Sequence, residues 1–285
     1  MKATEELPAV PDDGLETEDI GPWGEAKYRL VHTYAEMFVR AMLGKWDSLV
    51  YVDLFAGSGR ARIRESGKII PASPLLALRI TDGFNKFIFC EKDSGKIRAL
   101  EQRVRLSHCD ADCSFLEGDA NGLADQVLHA MPTPGRGFKV LGLCFSDPYS
   151  LSNLKFETIR ALRSRFLDHL ILIPTSMDAT RNLASYLKPD NGTVDDFLGN
   201  SNWRDRWPSA ERRSMSFEAF LTNELAESMR ALDYLYPGIE QTEQIRSTPQ
   251  NLPLYRLALF SRSKLGNKFW KQARKYSTPQ RGLFD

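Results

Sequence analysis

Four acidic side chains, Asp53, Glu91, Asp119 and Asp147, end or directly follow apolar segments between residues 48 and 149. A carboxylate can accept hydrogen bonds from hydroxyl, amino and ammonium groups. If the apolar segments are parallel strands, their carboxyl ends meet at one edge of a sheet, where open α/β folds bind ligands. One such acid alone would be an ordinary solvated strand end. Four of them in register predict a shared ligand site.

A glycine turn, Ala56-Gly57-Ser58-Gly59, comes soon after the first of these acids. Glycine has no Cβ, so the backbone of such a turn can approach a ligand closely. A pyrophosphate site continues as G-x-G-x-x-G straight into a helix. Here Arg62 takes the third glycine position, and a loop over 60–72 precedes the next helix. The pattern therefore favours S-adenosyl-L-methionine (SAM), which has no phosphates, over a dinucleotide.

The acids then have distinct predicted roles around SAM. Asp53 is expected to accept from the α-ammonium or a bound water, Glu91 from the ribose hydroxyls, and Asp119 from the adenine amino group. Trp23 and Lys27 lie one helical turn apart and are predicted to close over the methionine end, with a capping aromatic and a solvated lysine as the alternative. The predicted cofactor-binding residues are Lys27, Asp53, Phe55, Ala56, Gly57, Gly59, Glu91, Lys92, Asp119, Ala120 and Asp147.

The elements that must position these residues alternate between strands and helices, which predicts an α/β fold with a parallel sheet covered on both faces. Predicted strands cover 48–55, 86–93, 113–119, 138–149 and 169–175, and predicted helices cover 23–43, 73–81, 93–106, 121–131 and 156–166. The polar segment at about 176–215 is predicted to be an inserted helical cap. A helix over 217–232 follows, and period-two alternation over 239–248 and 254–263 predicts an antiparallel strand pair.

Composition narrows the function classes. The chain has 285 residues, of which 42% are hydrophobic, and a net charge of +1, so no overall basic field points to nucleic acid. No apolar stretch reaches the length of a membrane span, and the acidic N-terminus lacks a secretory signal, so we expect a cytoplasmic protein. Residues 1–22 contain few apolar side chains and predict a flexible tail, or else a strap over the surface.

The cysteine pattern raises the question of a metal. Cys109 and Cys113 have a C-x-x-x-C spacing with His108 beside them. A structural zinc site needs a second ligand pair at comparable spacing, and the sequence offers none. Reduced, partly buried thiols and no metal are therefore expected.

Eight short motifs spread over about 23–275 are W-x-x-x-K (23–27), D-x-F-A-G-x-G (53–59), S-P-L-L-A (73–77), E-K-D (91–93), G-D-A (118–120), D-P-Y (147–149), F-L-G-N-S-N-W (197–203) and L-G-N-K-F-W (265–270). Together they resemble the bacterial three-Cys-motif partner family, whose members are similar to class I SAM-dependent methyltransferases. The resemblance implies a Rossmann-like sheet of seven strands and a radical-SAM-type three-Cys-motif protein as a partner. Two positions differ, since the family often has glycine at Ala72 and phenylalanine at Tyr149.

The segment Ser146-Asp147-Pro148-Tyr149 resembles the Asp/Asn-Pro-Pro-Tyr/Phe motif of methyltransferases that modify amino groups of nucleic-acid bases, although it has a single proline. The resemblance implies that Asp147, Pro148 and Tyr149 form the catalytic acceptor site. The acid and the adjacent backbone carbonyl would hold the target amino group, and the aromatic ring would stack on the base. The alternative is that Pro148 only ends the strand and Tyr149 packs beneath the cap.

Contacts to substrate are predicted at Arg60, Arg62, Trp203 and Arg204. Arginines that alternate in an extended loop can meet phosphates, and tryptophans on one helical face can stack on bases. The alternatives are a solvated face for the arginines and a small core of the cap for Trp203.

These features support two functions from different classes. The first is SAM-dependent methyl transfer, expected to act on an amino group of a nucleic-acid base. The second is a non-catalytic, accessory partner of a radical-SAM-type three-Cys-motif protein that keeps the SAM-binding fold. An NAD-dependent oxidoreductase is a distant third.

Overall fold

The structure is a computed structural model that describes residues 6–108, 110–236, 238–247 and 251–277. Its strands are, in chain order, β1 (Glu18–Ile20), β2 (Ser48–Asp53), β3 (Arg60–Ile63), β4 (Ile69–Pro71), β5 (Lys86–Glu91), β6 (Cys113–Glu117), β7 (Val140–Ser146), β8 (Leu167–Pro174), β9 (Glu243–Arg246) and β10 (Pro253–Phe260). Within this part of the chain they form a seven-stranded sheet and a three-stranded sheet.

The larger sheet has the strand order β6-β5-β2-β7-β8-β10-β9. The first five strands in this order are parallel, and β10 runs antiparallel to both of its neighbours. This arrangement confirms the predicted fold class, a Rossmann-like α/β fold with a mostly parallel sheet of seven strands. The chain leaves β2 on one side toward β5 and β6 and returns on the other side at β7. A crevice therefore opens at the carboxyl ends of β2, β5 and β7.

Helices cover both faces of this sheet. They are α1 (Trp23–Met42), α2 (Ser73–Leu78), α3 (Ser94–Ser107), α4 (Ala124–Ala130), α5 (Phe156–Leu162), α6 (Leu183–Tyr186), α7 (Thr193–Leu198), α8 (Trp203–Arg212), α9 (Phe217–Arg230) and α10 (Lys264–Ser277). Among the helices described, none combines the length and apolarity needed to cross a lipid bilayer.

Alternate residues of the buried central strand β2 enter two different apolar cores. Tyr51 packs with residues of α1, α2, α3 and α10 on one face of the sheet. Val50 and Val52 pack on the opposite face, with residues of α4, α5 and α7 to α9. Because both faces of β2 are buried, its sequence is a continuous apolar run rather than an alternating one.

Helix ends differ from the sequence expectation by a few residues. The N-cap of α2 is Ala72, and Ser73, which we expected to be the cap, is the first helical residue. The hydroxyl of Ser73 is instead hydrogen-bonded to Asp53 at the end of β2. This bond joins the start of α2 to the carboxyl edge of the sheet.

The segment predicted as a loop over 60–72 is a β-hairpin. Strands β3 and β4 pair antiparallel, and β1 adds to β3 in parallel, with Glu18 opposite Ala61 and Ile20 opposite Ile63. The short β1 strand contains a single apolar residue that packs against this small sheet, so its sequence carries little strand signal.

Residues 6–22 form a strap over the surface, the second of the two alternatives predicted for 1–22, and not a flexible tail; we call them the strap, and residues 1–5 lie outside the described residues. Leu7 is 1% exposed and packs with Tyr28 and Ile70. The backbone N–H of Val10 donates to the carbonyl of Ile69 at 2.9 Å. The first part of the strap therefore packs against the small sheet, and its later residues form β1 of that sheet.

Arg103 on α3 is the main anchor of the strap. Its side chain is 2% exposed, and both oxygens of Asp13 accept from its guanidinium at 2.7 and 2.8 Å. It also donates to strap backbone, including the carbonyl of Glu16 at 2.8 Å, and to the carbonyl of Ser58 at 2.6 Å. The hydrogen bond from Arg103 lowers the pKa of Asp13 to about 2. A single buried cation thus joins the strap to the turn after β2.

The cap consists of a π-helical turn, Thr175–Ala179, followed by α6, α7 and α8. The rings of Trp203 and Trp207 are buried and contact the ring of Phe217 at centroid distances of 5.9 and 5.1 Å. The two tryptophans therefore form the core between the cap and α9.

Replacing Arg103 by methionine should release the strap and leave the larger sheet folded. The strap would lose five hydrogen bonds from the guanidinium, so we expect the free energy of unfolding to fall by about 3 kcal/mol. Amide hydrogen exchange over 6–22 should accelerate while exchange in β2 stays slow. Arg105→Met is the matched control, because exposed Arg105 pairs only with Glu101 in the described contacts. Unchanged exchange of the strap in Arg103→Met would contradict this role.

Candidate active site

A cavity of about 540 Å³ opens at the carboxyl edge of the larger sheet. The ends of β2, β5, β6 and β7 border it, together with the first turn of α1 and part of the strap. The predicted site residues that line it are Lys27, Phe55, Ala56, Glu91, Lys92, Asp119, Ala120, Asp147, Pro148 and Tyr149. The structure therefore brings most of the predicted cofactor and acceptor residues together around one space.

Glu91, at the end of β5, is oriented by two backbone amides. Its Oε2 accepts from the N–H of Gly57 at 2.9 Å, and its Oε1 accepts from the N–H of Asp93 at 2.8 Å. A carboxylate oxygen can accept more than one hydrogen bond, so both oxygens keep capacity for a further donor in the cavity. Glu91 is thus placed to accept from a pair of hydroxyl groups.

Asp119 forms the flank of the cavity beyond β6. Its Oδ1 accepts from the backbone and side-chain amides of Asn121 at 2.9 and 2.8 Å, and its Oδ2 lies 3.7 Å from the Nζ of Lys92. Both Asp119 and Lys92 are exposed, whereas neighbouring Ala120 is buried at the cavity wall. This flank therefore combines a small apolar surface with a hydrogen-bond acceptor.

Asp53 lies behind the cavity and not at the solvent-reaching edge that the sequence pattern predicted. Its side chain is fully buried and accepts from the N–H of Phe55 at 3.2 Å and from the hydroxyl of Tyr51 at 3.4 Å. Burial raises the pKa of Asp53 to about 7, although the hydrogen bonds from Ser73 and Phe55 act in the opposite direction. Asp53 is thus placed to shape the turn through Phe55, and it does not line the cavity.

Lys27 and Asp147 form an ion pair at the inner wall of the cavity. The Nζ of Lys27 lies 2.5 Å from the Oδ2 of Asp147, and both side chains are largely shielded from solvent. Burial alone would lower the pKa of Lys27, but the negative charge of Asp147 and its hydrogen bond raise that pKa above its usual value. The lysine therefore stays charged, and the pair joins α1 to the end of β7.

Tyr149 stands at the mouth of the cavity with 84% of its surface exposed. The backbone that follows it is tightly held, because the N–H of Ser150 donates to Asn153 Oδ1 at 2.9 Å and the N–H of Leu151 donates to Asp178 Oδ2 at 2.7 Å. Tyr149 consequently projects into solvent from a fixed turn and does not pack beneath the cap.

Asn121 connects the two sides of the cavity. Its side-chain amide donates to Asp119 on one side and to the carbonyl of Asn153, at 2.9 Å, on the other. Its Oδ1 accepts from the N–H of Lys155 at 2.8 Å and from the hydroxyl of Thr158 at 2.9 Å. One side chain therefore links the turn that carries Asp119 to the segment that follows Tyr149.

The sequence analysis missed several lining residues. The strap contributes Glu16, Glu18 and Asp19, α3 contributes Lys96, and β10 contributes Tyr255. Tyr255 lies near the start of β10 opposite Pro174, which ends β8. A strand that runs against the parallel strands begins at their carboxyl edge, but the predicted antiparallel pair left open which of its two strands has that direction. The strap residues had no comparable signal.

The predicted substrate contacts at Arg60 and Arg62 need correction. Arg60 pairs with Asp13 at 2.9 Å and donates to the carbonyl of Pro11, while Arg62 pairs with Asp12 at 2.8 Å. Neither arginine lines the cavity. The acidic residues of the strap, distant in sequence, are the partners of these cations.

The predicted contacts at Trp203 and Arg204 also need correction. Trp203 is 0% exposed, and its indole N–H donates to Asp195 at 2.6 Å. The guanidinium of Arg204 stacks over the same ring and forms an ion pair with Asp195. Both residues are internal to the cap, and no described cap residue lines the cavity.

The two predicted glycines have different structural roles. Gly57 has φ +60°, and its amide holds Glu91, although the glycine itself does not line the cavity. Gly59 has φ +82°, and a Cβ there would lie 2.6 Å from Leu100. The positive φ of Gly59 favours glycine at this position, and Gly59 does not line the cavity.

No group of three or more His, Cys, Asp or Glu side chains among the described residues is arranged to hold a metal ion. Cys113 is partly buried and carries no disulfide, and burial raises the pKa of its thiol to about 11. Cys109 lies outside the described residues.

Comparison with solved structures shows similarity of fold. Protein LPL1258 from Legionella pneumophila, of family DUF519, has a TM-score of 0.51 and 14% identity, with 89% of this chain and 91% of that chain covered. The O-methyltransferase TomG from Streptomyces achromogenes, solved with SAM, has a TM-score of 0.45 and 12% identity, with coverage of 83% and 80%. Trm1 from Pyrococcus horikoshii, also solved with SAM, has a TM-score of 0.45 and 12% identity, with coverage of 93% and 63%.

The similarity to LPL1258 supports the α/β fold, and at 14% identity it carries no information about the reaction. No protein-family model matches this sequence, and no curated protein matches it significantly.

The raised pKa of Asp53 predicts a pH-dependent stability. Between the ordinary value of 3.8 and about 7, the native state binds more protons at Asp53 than the unfolded state does. The free energy of unfolding should therefore fall as pH rises through this window, by at most about 4 kcal/mol from this group. Asp53→Asn should flatten the profile measured by urea denaturation at pH 5 and pH 8.

Asp168 provides a second test of the same effect at a position away from the cavity, because burial also raises its pKa to about 7. Asp168→Asn should flatten the profile similarly. A wild-type stability that rises steadily from pH 5 to pH 8 would contradict both assignments.

Proposed function

We propose that this chain is a SAM-dependent methyltransferase that modifies an amino group of a nucleic-acid base. The observation that carries the proposal is the convergence of Glu91, Asp119 and the Lys27–Asp147 ion pair on one cavity at the carboxyl edge of the sheet. Ligands of open α/β folds bind at this edge, where the strand order reverses. Five of the motifs, at 23–27, 53–59, 91–93, 118–120 and 147–149, contribute residues to this cavity.

SAM suits the cavity in size and in polar partners. About 540 Å³ lies within the range of small-molecule sites, roughly 300 to 1,000 Å³. In the proposed pose, adenine lies beside Asp119 and Ala120, the ribose hydroxyls donate to Glu91, and the methionine carboxylate approaches Lys27. The aromatic ring of Trp23 lines the same end and is placed to cover the methionine chain.

A dinucleotide suits the cavity less well, because its pyrophosphate would need unpaired cations or free backbone amides. Each of the three lysines among the described lining residues is paired with an acid: Lys27 with Asp147, Lys92 with Asp119, and Lys96 with Glu18. The amide of Gly57 is occupied by Glu91. A pyrophosphate carries two negative charges, whereas the methionine carboxylate of SAM carries one, is balanced by the α-ammonium, and can accept from a second N–H of Lys27. These pairings therefore favour a ligand without phosphates.

Asp147 is the proposed acceptor for the target amine. Lys27 binds its Oδ2, which leaves Oδ1 to accept an N–H of the substrate. That hydrogen bond would hold the amine so that the nitrogen lone pair points at the incoming methyl group. Bound SAM would supply a methyl group on a sulfonium. A nitrogen–carbon bond would form as the carbon–sulfur bond breaks with its electron pair left on sulfur, and the amine, held at Asp147, would release a proton to water.

Tyr149 supports a nucleic-acid base as the acceptor. A tyrosine ring that is 84% exposed at a cavity mouth offers a face on which a base can stack, and such stacking contributes about 1 to 3 kcal/mol per base. Buried Pro148 fixes the backbone between this ring and Asp147. The base would then lie between Tyr149 and the methyl group.

Transfer of labelled methyl from SAM to total RNA and to genomic DNA tests the proposal. Asp147→Ala should lower kcat by about 100-fold because the amine loses its oriented acceptor. Tyr149→Ala should raise KM for the nucleic acid about tenfold, and Tyr149→Phe should restore it because the ring is kept. Phe138→Ala is the control, since Phe138 is an exposed aromatic residue at the opposite edge of the sheet.

The alternative function, an accessory partner of a three-Cys-motif protein, predicts a different result. It predicts that the isolated chain binds SAM but transfers no methyl group to RNA or DNA. Activity should then be measured only when the three-Cys-motif protein is added. Methyl transfer by the isolated chain that is insensitive to both Asp147→Ala and Tyr149→Ala would contradict the acceptor assignment. Binding of NAD in place of SAM would contradict both functions.

A further inference from the structure

We propose that the strap is part of the cofactor site, where Glu18 and its acidic neighbours make the cavity favour the cationic cofactor SAM over its neutral product, S-adenosylhomocysteine. This inference rests on the proposed function and adds to it a determinant of cofactor specificity. The sequence analysis assigned the strap no part in binding.

The strap forms the outer wall of the cavity, facing the glycine turn. Glu18 on β1 is aligned by parallel pairing with β3, and its Oε2 lies 3.1 Å from the point that a Cβ of Gly57 would occupy. The amide of Gly57 donates to Glu91 on its other side. Two carboxylates therefore flank one glycine, and Lys96 forms an ion pair with Glu18 beside them.

The charge of the described lining residues is unbalanced. Six carboxylates and three ammonium groups line the cavity: Glu16, Glu18, Asp19, Glu91, Asp119 and Asp147 against Lys27, Lys92 and Lys96. Half of these carboxylates belong to the strap. The ion pairs Lys27–Asp147, Lys92–Asp119 and Lys96–Glu18 balance three of the carboxylates, so the excess negative charge lies on Glu91 and on the strap residues Glu16 and Asp19.

Methyl transfer changes the charge of the cofactor. The sulfonium of SAM is positive, whereas the thioether of S-adenosylhomocysteine is neutral, and the two molecules are otherwise alike apart from the methyl group. The negative electrostatic potential of the excess carboxylates lowers the free energy of the bound sulfonium form more than that of the bound thioether form. The strap thus favours binding of the cofactor before transfer and release of the product after it.

The strap is held rigidly enough to exert this potential from a fixed position. Arg103, itself buried, bonds the strap at Asp13 and at the carbonyl of Glu16, close to Glu18 in the chain. Lys96 is set by its pairing with Glu18 on the opposite side. The backbone at Glu16 and the side chain of Glu18 are therefore held by contacts within the fold.

Calorimetric titration of the full chain with SAM and with S-adenosylhomocysteine tests the inference through the ratio of the two dissociation constants. Glu18→Gln should shift this ratio against SAM by about three- to tenfold, and Lys96→Gln should shift it toward SAM by a similar factor. Both shifts should shrink in high salt because added ions screen partly exposed charges. Glu6→Gln is the matched control, since Glu6 belongs to the strap, pairs with Lys68, and does not line the cavity.

The outcomes separate this inference from the proposed function. SAM binding with a ratio that neither Glu18→Gln nor Lys96→Gln changes would overturn the strap inference and leave the proposed function standing. Absence of SAM binding by the wild-type chain would overturn the proposed function together with the inference. If Glu18→Gln does not fold, Glu16→Gln and Asp19→Asn provide the same charge change, and an unchanged ratio in both would count against the inference.

Discussion

The reversal of strand order at β2 is the constraint on which the rest of the structure depends. Because β5 and β7 lie on opposite sides of β2, the connections that leave these strands diverge, and the sheet cannot close the space at their carboxyl ends. The side chains that follow these strands are then close together regardless of their separation in sequence. Glu91 and Asp147 face one cavity for this reason.

The carboxylates at this edge are not equivalent, because each is held by different partners. Asp53 is buried and held by hydrogen bonds from within the fold, whereas Glu91 is oriented by two amides and still faces the cavity. Asp147 is paired with the buried cation Lys27. The strand ends thus provide one buried carboxylate that holds the turn, one carboxylate that two amides orient at the cavity, and one carboxylate paired with a buried cation; in the proposed function the second accepts from hydroxyl groups and the third from an amine.

The features of the site that could be predicted from the sequence are those that depend on the local pattern of apolar residues and on strand direction. Parallel strands bring their carboxyl ends together whatever the length of the connecting loops. The acids that end apolar runs were therefore correctly predicted to lie near one another, and Glu91, Asp119 and Asp147 all line the cavity. The depth of Asp53 was not predictable in the same way. Its burial depends on Ser73 and Tyr51, which the fold brings to it, and a linear pattern does not report such contacts.

Long-range charge pairing explains the remaining errors. Arg60 and Arg62 form ion pairs with acids of the strap, a segment whose sequence predicted a flexible tail or a strap over the surface. Arg204 and Trp203 share Asp195 within the cap. In each case the cation or indole that was predicted to contact substrate has an acidic partner from another segment of the chain.

A crystal structure of the full chain with bound SAM tests the central claim most directly. The account predicts adenine beside Asp119 and Ala120, ribose hydroxyls within hydrogen-bond distance of the Glu91 carboxylate, and the methyl group directed toward Asp147. A cofactor bound elsewhere on the molecule, or with its ribose turned away from Glu91, would contradict the account.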